Sequence, residues 1–119
     1  MADQRKSVGR RGEQLAAAFL RTKGFNLLTQ NWSCRLGEID LIVERQGEVR
    51  FVEVKTRYST QFGYPEEAIT RTKLLHLRRA IELYLRAQPS PPLRYQADAV
   101  AILILPGQEP EIRWIEGIL

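Results

Sequence analysis

The chain has a single cysteine, Cys34, and a single histidine, His76, among 119 residues. One cysteine excludes an internal disulfide framework, and so few soft ligands exclude the clustered Cys and His that hold structural zinc or iron–sulfur clusters. The same scarcity fits a reducing compartment, so the expected location is cytoplasmic. Long apolar runs are also missing: nowhere do about 18 uncharged apolar residues stand together, the length a membrane helix needs. The opening MADQRKSVGRRGEQ has no apolar stretch of signal-peptide length. Neither membrane insertion nor secretion is expected. Excess charge of one sign is small too, with 18 basic against 14 acidic side chains and a net charge of +4.

Hydrophobic residues make up 44% and charged residues 27% of the chain, close to ordinary globular usage, which argues against wholesale disorder. The length suits one domain over residues 1–119, because single cores commonly serve about 100–150 residues. Residues 1–8 read as a flexible arm. Charge is unevenly spread: residues 1–23 hold six basic and two acidic side chains, residues 71–86 hold five and one, and the remainder is acidic overall. Such basic segments suit a polyanion, since neutralising phosphates releases counterions. A solvated helix face accounts for them equally well.

Leu15, Ala16, Phe19 and Leu20 recur at helical spacing, with Gly24 as a stop, which predicts a helix over about 9–23. Strands are predicted at 25–32, 37–45 and 48–56, the last two joined through Gln46-Gly47 as a hairpin. A polar and aromatic loop follows at 57–65, then a helix over about 66–87 with a possible break at Thr70 or Thr72. The prolines of PSPP at 89–92 end that helix, AVAILIL at 99–105 reads as a buried strand, and a last strand falls near 111–115. These elements predict an α/β domain built on a mixed sheet.

A two-residue turn at Gln46-Gly47 pairs Arg45 with Glu48 and, carried back along the hairpin, sets Asp40 opposite Glu53 and Glu38 opposite Lys55 on one face. Ile42 then meets Phe51 on that face, with Ile39 and Val54, and Leu41 and Val52, on the other. Two carboxylates about 4 Å apart repel by roughly 4 kcal/mol at an effective dielectric near 20. A divalent cation would relieve this, and oxygen-only donors suit Mg²⁺ or Mn²⁺. The spacing is equally compatible with a Glu38–Lys55 ion pair beside carboxylates that splay into solvent or share a proton.

GEID at 37–40 followed by EVK at 53–55 resembles the PD-(D/E)xK nuclease motif, with Ile39 where the motif's name has its most dispensable member, proline. GRRGEQLAAAFL, GEIDLI, FVEVKTR, FGYPEEAI and Lys73 further resemble the YraN-like family of uncharacterised bacterial proteins, over about Gly9 to Leu105. That family is regarded as restriction-endonuclease-like and akin to archaeal Holliday junction resolvases. The resemblance implies a three-layer α/β domain of that kind, a mixed central sheet flanked by helices. It implies a Mg²⁺- or Mn²⁺-dependent nucleic-acid phosphodiester hydrolase, an endonuclease with DNA favoured over RNA and branched DNA as one substrate. It also allows a homodimer, because a four-way junction needs two symmetric cuts.

Carried over by position, the resemblance makes Asp40, Glu53 and the Val54 carbonyl metal ligands and Lys55 the residue that orients or helps deprotonate water. Glu13 joins them from the first helix, although a glutamate near a helix N-terminus has a macrodipole reading of its own. Arg10, Arg11, Lys73, Arg78 and Arg79 are candidate phosphate contacts or solvated charges, with Arg57 and Tyr58 beside the site; Tyr58, Phe62 and Tyr64 are placed to stack unpaired bases or to anchor their loop. Asp98 calls for a buried partner such as an arginine, and Trp32, Trp114 and Cys34 read as packing residues. The alternative function is a non-catalytic nucleic-acid binding module on the same fold.

Overall fold

In the computed structural model, which describes residues 4–119 and their side chains from residue 10 onward, the chain forms two helices and five strands. These are α1 (Gln4–Thr22), β1 (Asn26–Cys34), β2 (Gly37–Arg45), β3 (Glu48–Arg57), α2 (Arg71–Ala87), β4 (Arg94–Leu103) and β5 (Glu111–Ile115). Of the arm expected over residues 1–8, residues 4–8 belong to α1 and residues 1–3 lie outside the described part.

Helix α1 ends as its sequence demands. Gly24 takes a φ of +91°, the Phe25 N–H donates to the Leu20 carbonyl at 3.1 Å, and the Gly24 N–H donates to Arg21 at 3.0 Å. This glycine cap closes the helix and turns Phe25 back onto Leu20 in the core. The break expected before α2 falls at Thr70, whose hydroxyl accepts from the Lys73 N–H at 3.3 Å. Residues Pro65–Ala68 ahead of it form a separate 3-10 turn rather than the first turn of one long helix. Strand β4 begins at Arg94, five residues before the apolar run, because its polar start pairs in parallel with β3 from Glu48 opposite Arg94.

The sheet runs β1-β2-β3-β4-β5 in chain order. β3 and β4 are parallel, joined through α2, and the other neighbours are antiparallel. One helix covers each face. Ala16 and Leu20 of α1 pack with Leu41, Val43, Val52, Val100 and Ile102, while Leu77, Ala80 and Ile81 of α2 pack with Ile39, Ile42, Val49 and Phe51. Phe51 is fully buried, its ring edge-on to Tyr84 at 5.5 Å. Burying a side chain of this kind contributes about 1.5–3 kcal/mol.

The expected hairpin register holds from Arg45 opposite Glu48 to Leu41 opposite Val52. There the paired register ends, so Asp40 with Glu53, and Glu38 with Lys55, are not ladder pairs. The alternation of faces breaks at the same point. Leu41 packs under α1, but Ile39, expected on its face, packs under α2 beside Ile42. On the neighbouring strand, Asn31 adopts a left-handed φ of +53°, between the pairs Gln30–Leu41 and Trp32–Ile39. Two irregular strands therefore meet at Asp40, where period two alone gives the wrong face.

Asp98 is fully buried and does find its arginine: Arg50 Nη1 donates to Oδ2 at 2.7 Å. Trp114 Nε1 donates to the same oxygen at 3.0 Å. Trp32 and Cys34 pack against the α2-side core, as expected.

Candidate metal centre

Where β2 parts from β3, the Asp40 carboxylate accepts the Val54 N–H at 2.8 Å. This bond brings the β3 peptide at Val54 to the acid, even though the residues are not paired across the ladder. Helix α1 supplies a second carboxylate. Gly12 lies so close to Thr56 of β3 that a Cβ there would collide with the threonine hydroxyl, and that close approach sets Glu13, the next residue, over the sheet. Ligand oxygens of Glu13, Glu38 and Asp40 all lie within 4.8 Å of one another.

The electrostatics follow from this crowding. Burial and then the neighbouring Glu53 together push the Asp40 carboxyl up to about 8, with the Val54 hydrogen bond only partly opposing them. Glu13 and Glu38 also raise it. Glu53 is raised by burial, against the pull of Lys73 and Lys55. Burial likewise raises Glu13; Asn31 lowers it by hydrogen bonding, and Glu38 adds to the rise. Lys55 is lowered by burial and then by Lys73 and Arg57, with Glu53 and Asp40 opposing. Acids forced toward neutrality beside a lysine lowered toward neutrality are the pattern expected where charge is to be supplied by a ligand.

On β3, Glu53 and Lys55 stand in register with Ala99 and Ala101 of β4. These small neighbours leave room for the long side chains. The donor set within reach is all oxygen, which suits Mg²⁺ or Mn²⁺ and not a thiolate- or imidazole-bound metal.

The structure thus brings together Glu13, Asp40, Glu53, Lys55 and, through coupling to Glu53 and Lys55, Lys73. Glu38, expected to face Lys55, instead joins the carboxylates. The signal for it lay in GEID itself, because residues two apart on a strand share a face. Asn31 was not foreseen. An asparagine is among the few residues that tolerate left-handed φ, which is the only trace it leaves in the sequence. The macrodipole reading of Glu13 fails, since α1 begins at Gln4 and the dipole fades beyond the first turn.

The remaining basic residues are dispersed. Arg11 and Tyr58 share a cleft with Pro106 and Gly107, on the far side of β3 from Lys55, and Arg10 is exposed. Arg78 lines a different cleft with Tyr95 and Gln96, which pair with Val49 and Arg50 near the opposite end of β3. Arg79 is exposed on α2. Neither is brought to the carboxylates. Phe62 is 77% exposed, whereas the Tyr64 ring lies under Arg113 at 5.5 Å. No helix among the described residues is long and apolar enough to cross a membrane.

Residues 12–102 match the uncharacterised protein family UPF0102. The chain is similar to a UPF0102 protein of Nocardia farcinica, 41% identical over 114 residues that cover 96% of this chain and 90% of the relative. It is similar to another of Syntrophomonas wolfei, 45% identical over 103 residues covering 87% and 90%, and to one of Mycolicibacterium gilvum, 42% identical over 118 residues covering 98% and 96%. The match spans the helix that bears Glu13, the broken hairpin and the parallel strand beyond it, and the chain belongs to the UPF0102 family.

Proposed function

We propose that this chain is a divalent-metal-dependent nucleic-acid phosphodiester hydrolase with a restriction-endonuclease-like fold, acting on DNA in the cytoplasm. The observation that carries the reading is the convergence of Glu13, Glu38 and Asp40 within 4.8 Å, beside Glu53 and Lys55, with Asp40 pushed up to about 8. Mutual repulsion in a half-buried setting leaves these acids short of positive charge. Asp40, Glu53 and the Val54 carbonyl would hold the Mg²⁺ or Mn²⁺, and Glu13 and Glu38 would complete its oxygen environment. Bound there, the ion supplies Lewis-acid polarisation of water and of a phosphate oxygen.

The chain's own groups then divide the work. The Val54 N–H fixes one oxygen of Asp40, leaving the other oxygen as donor. Lys55, its ammonium weakened by burial and by Lys73, holds the attacking water by hydrogen bonding and offsets the charge that grows on the phosphate. Asn31 keeps Glu13 oriented and partly restores its ionised form. The test is cleavage of branched, flapped, single-stranded and duplex DNA by purified protein with Mg²⁺ or Mn²⁺. Cleavage is expected for the native chain and not for Asp40→Asn; equal cleavage by the two refutes the site. Binding of all substrates with cleavage of none favours the binding-module reading.

A further inference from the structure

Beyond the carboxylates, β3 continues with two more cations on one face. Lys55 and Arg57 are two residues apart on a regular strand, so their side chains project the same way about 6.5 Å apart, in register with Ala101 and Leu103. Lys73, in the first turn of α2, lies close enough to act on both Lys55 and Glu53. Among the described residues, ion pairs within 4 Å are made by Arg50 and Arg113. Lys55, Arg57 and Lys73 make none. The Arg57 Nε is enclosed and has no hydrogen-bond partner.

Clustered like charges that make no close ion pair, their nearby acids only partly offsetting them, destabilise a fold, and an enclosed guanidinium donor without an acceptor adds to the cost. Such an arrangement is relieved by an anion with several oxygens, and the spacing along the strand is close to that of successive phosphates on a nucleic-acid chain. We propose that Lys55, Arg57 and Lys73 form a phosphate row that grips two successive phosphodiesters of a single nucleic-acid strand, Lys55 at the phosphate to be cleaved and Arg57 with Lys73 at the next. This rests on the hydrolase reading for the role of Lys55, but the grip itself is independent of turnover. The row commits the protein to backbone contacts, which position a strand without reading its sequence. The loop that follows Arg57 supports a single strand over a duplex: Phe62 is 77% exposed, available to stack a base that has no pairing partner.

The experiment is a binding titration of a short fluorescent oligothymidylate in EDTA, repeated across salt concentrations, for the native chain, Arg57→Gln, Lys73→Gln and, as a control, Arg86→Gln in the last turn of α2. Both row variants are expected to bind several-fold more weakly. The slope of log affinity against log salt should fall by about 0.7 for each cation removed, with Arg57→Lys restoring it and Arg86→Gln unchanged. Lys73 is exposed, so its variant tests the row even if Arg57→Gln fails to fold. Native affinity and slope in Lys73→Gln, an equal loss in Arg86→Gln, or tighter binding of a duplex than of the single strand would overturn the proposal. Because the titration contains no divalent ion it reads the grip alone: a chain that grips through the row yet cleaves nothing once Mg²⁺ or Mn²⁺ is supplied refutes the hydrolase reading and leaves the row standing.

Discussion

Asp98 on β4 and Asp40 on β2 are both drawn out of water by the same sheet, and the fold answers their charges differently. Asp98 accepts four hydrogen bonds, from Arg50, Trp114, Gln96 and the Gly117 backbone, at 2.7–3.0 Å. Arg50 reaches out in turn to Glu48 and Glu116, and burial with these acid partners shifts its own equilibrium, the net effect being upward. Asp40 accepts one hydrogen bond among the described residues, from Val54, and burial, with the acids Glu53, Glu13 and Glu38 beside it, pushes it up to about 8. A carboxylate that holds strands together brings its donors with it. One left in want of them is open to a ligand that supplies the missing charge.

The largest effect expected is on the satisfied side of this contrast. Asp98→Ala leaves the buried Arg50 without its innermost counter-charge and should cost about 3–5 kcal/mol in urea unfolding; a loss under about 1 kcal/mol would mean the knot around Asp98 is not structural. Asp40→Asn should do the reverse. Its stability near neutral pH without metal is expected to match or exceed that of the native chain, because the crowded charge is gone, while metal-dependent cleavage falls at least about a hundredfold.

Stability against pH sharpens the same contrast. The folded pKa of Asp40 lies above its ordinary value, so the folded chain holds the proton more tightly than the unfolded one. The metal-free protein should therefore be most stable below about pH 4 with respect to this group, losing that contribution as pH rises toward about 8. Asp40→Asn should flatten this part of the curve, and Mg²⁺ should raise the melting temperature more at pH 8 than at pH 5, as read by thermal unfolding. A curve with the same slope in both chains would assign the loss to other groups. The smallest effect is Trp114→Phe, which removes one donor from Asp98 and is expected to cost about 1 kcal/mol; no measurable loss would show that the remaining donors suffice.

Much of this was legible without coordinates. Gln46-Gly47 announced the hairpin, and the β2 and β5 boundaries follow from local pattern alone. Asp40, Glu53 and Lys55 were recognisable from GEID and EVK, and Asp98 from a charge set at the head of an apolar run. The basic residues of α2 were less informative: Lys73 reaches Glu53, whereas Arg78 belongs to another cleft. A helix distributes neighbours in sequence around its whole circumference, so composition cannot say which cation faces the acids.

Asn31, and the departure of Glu38 from Lys55, were out of reach for a different reason. Alternation along a strand assumes an unbroken ladder, and both β1 and β2 depart from it around Asp40. Short-range forces settle turns, caps and the apolar faces of strands, because each depends on residues a few positions apart, and these are written in the chain itself. The meeting of Glu13, Glu38 and Asp40 depends on how closely Gly12 lets α1 approach β3 and on where β2 leaves its partner. Those are decided by packing between elements distant in sequence, so only the folded chain could bring these like-charged residues together.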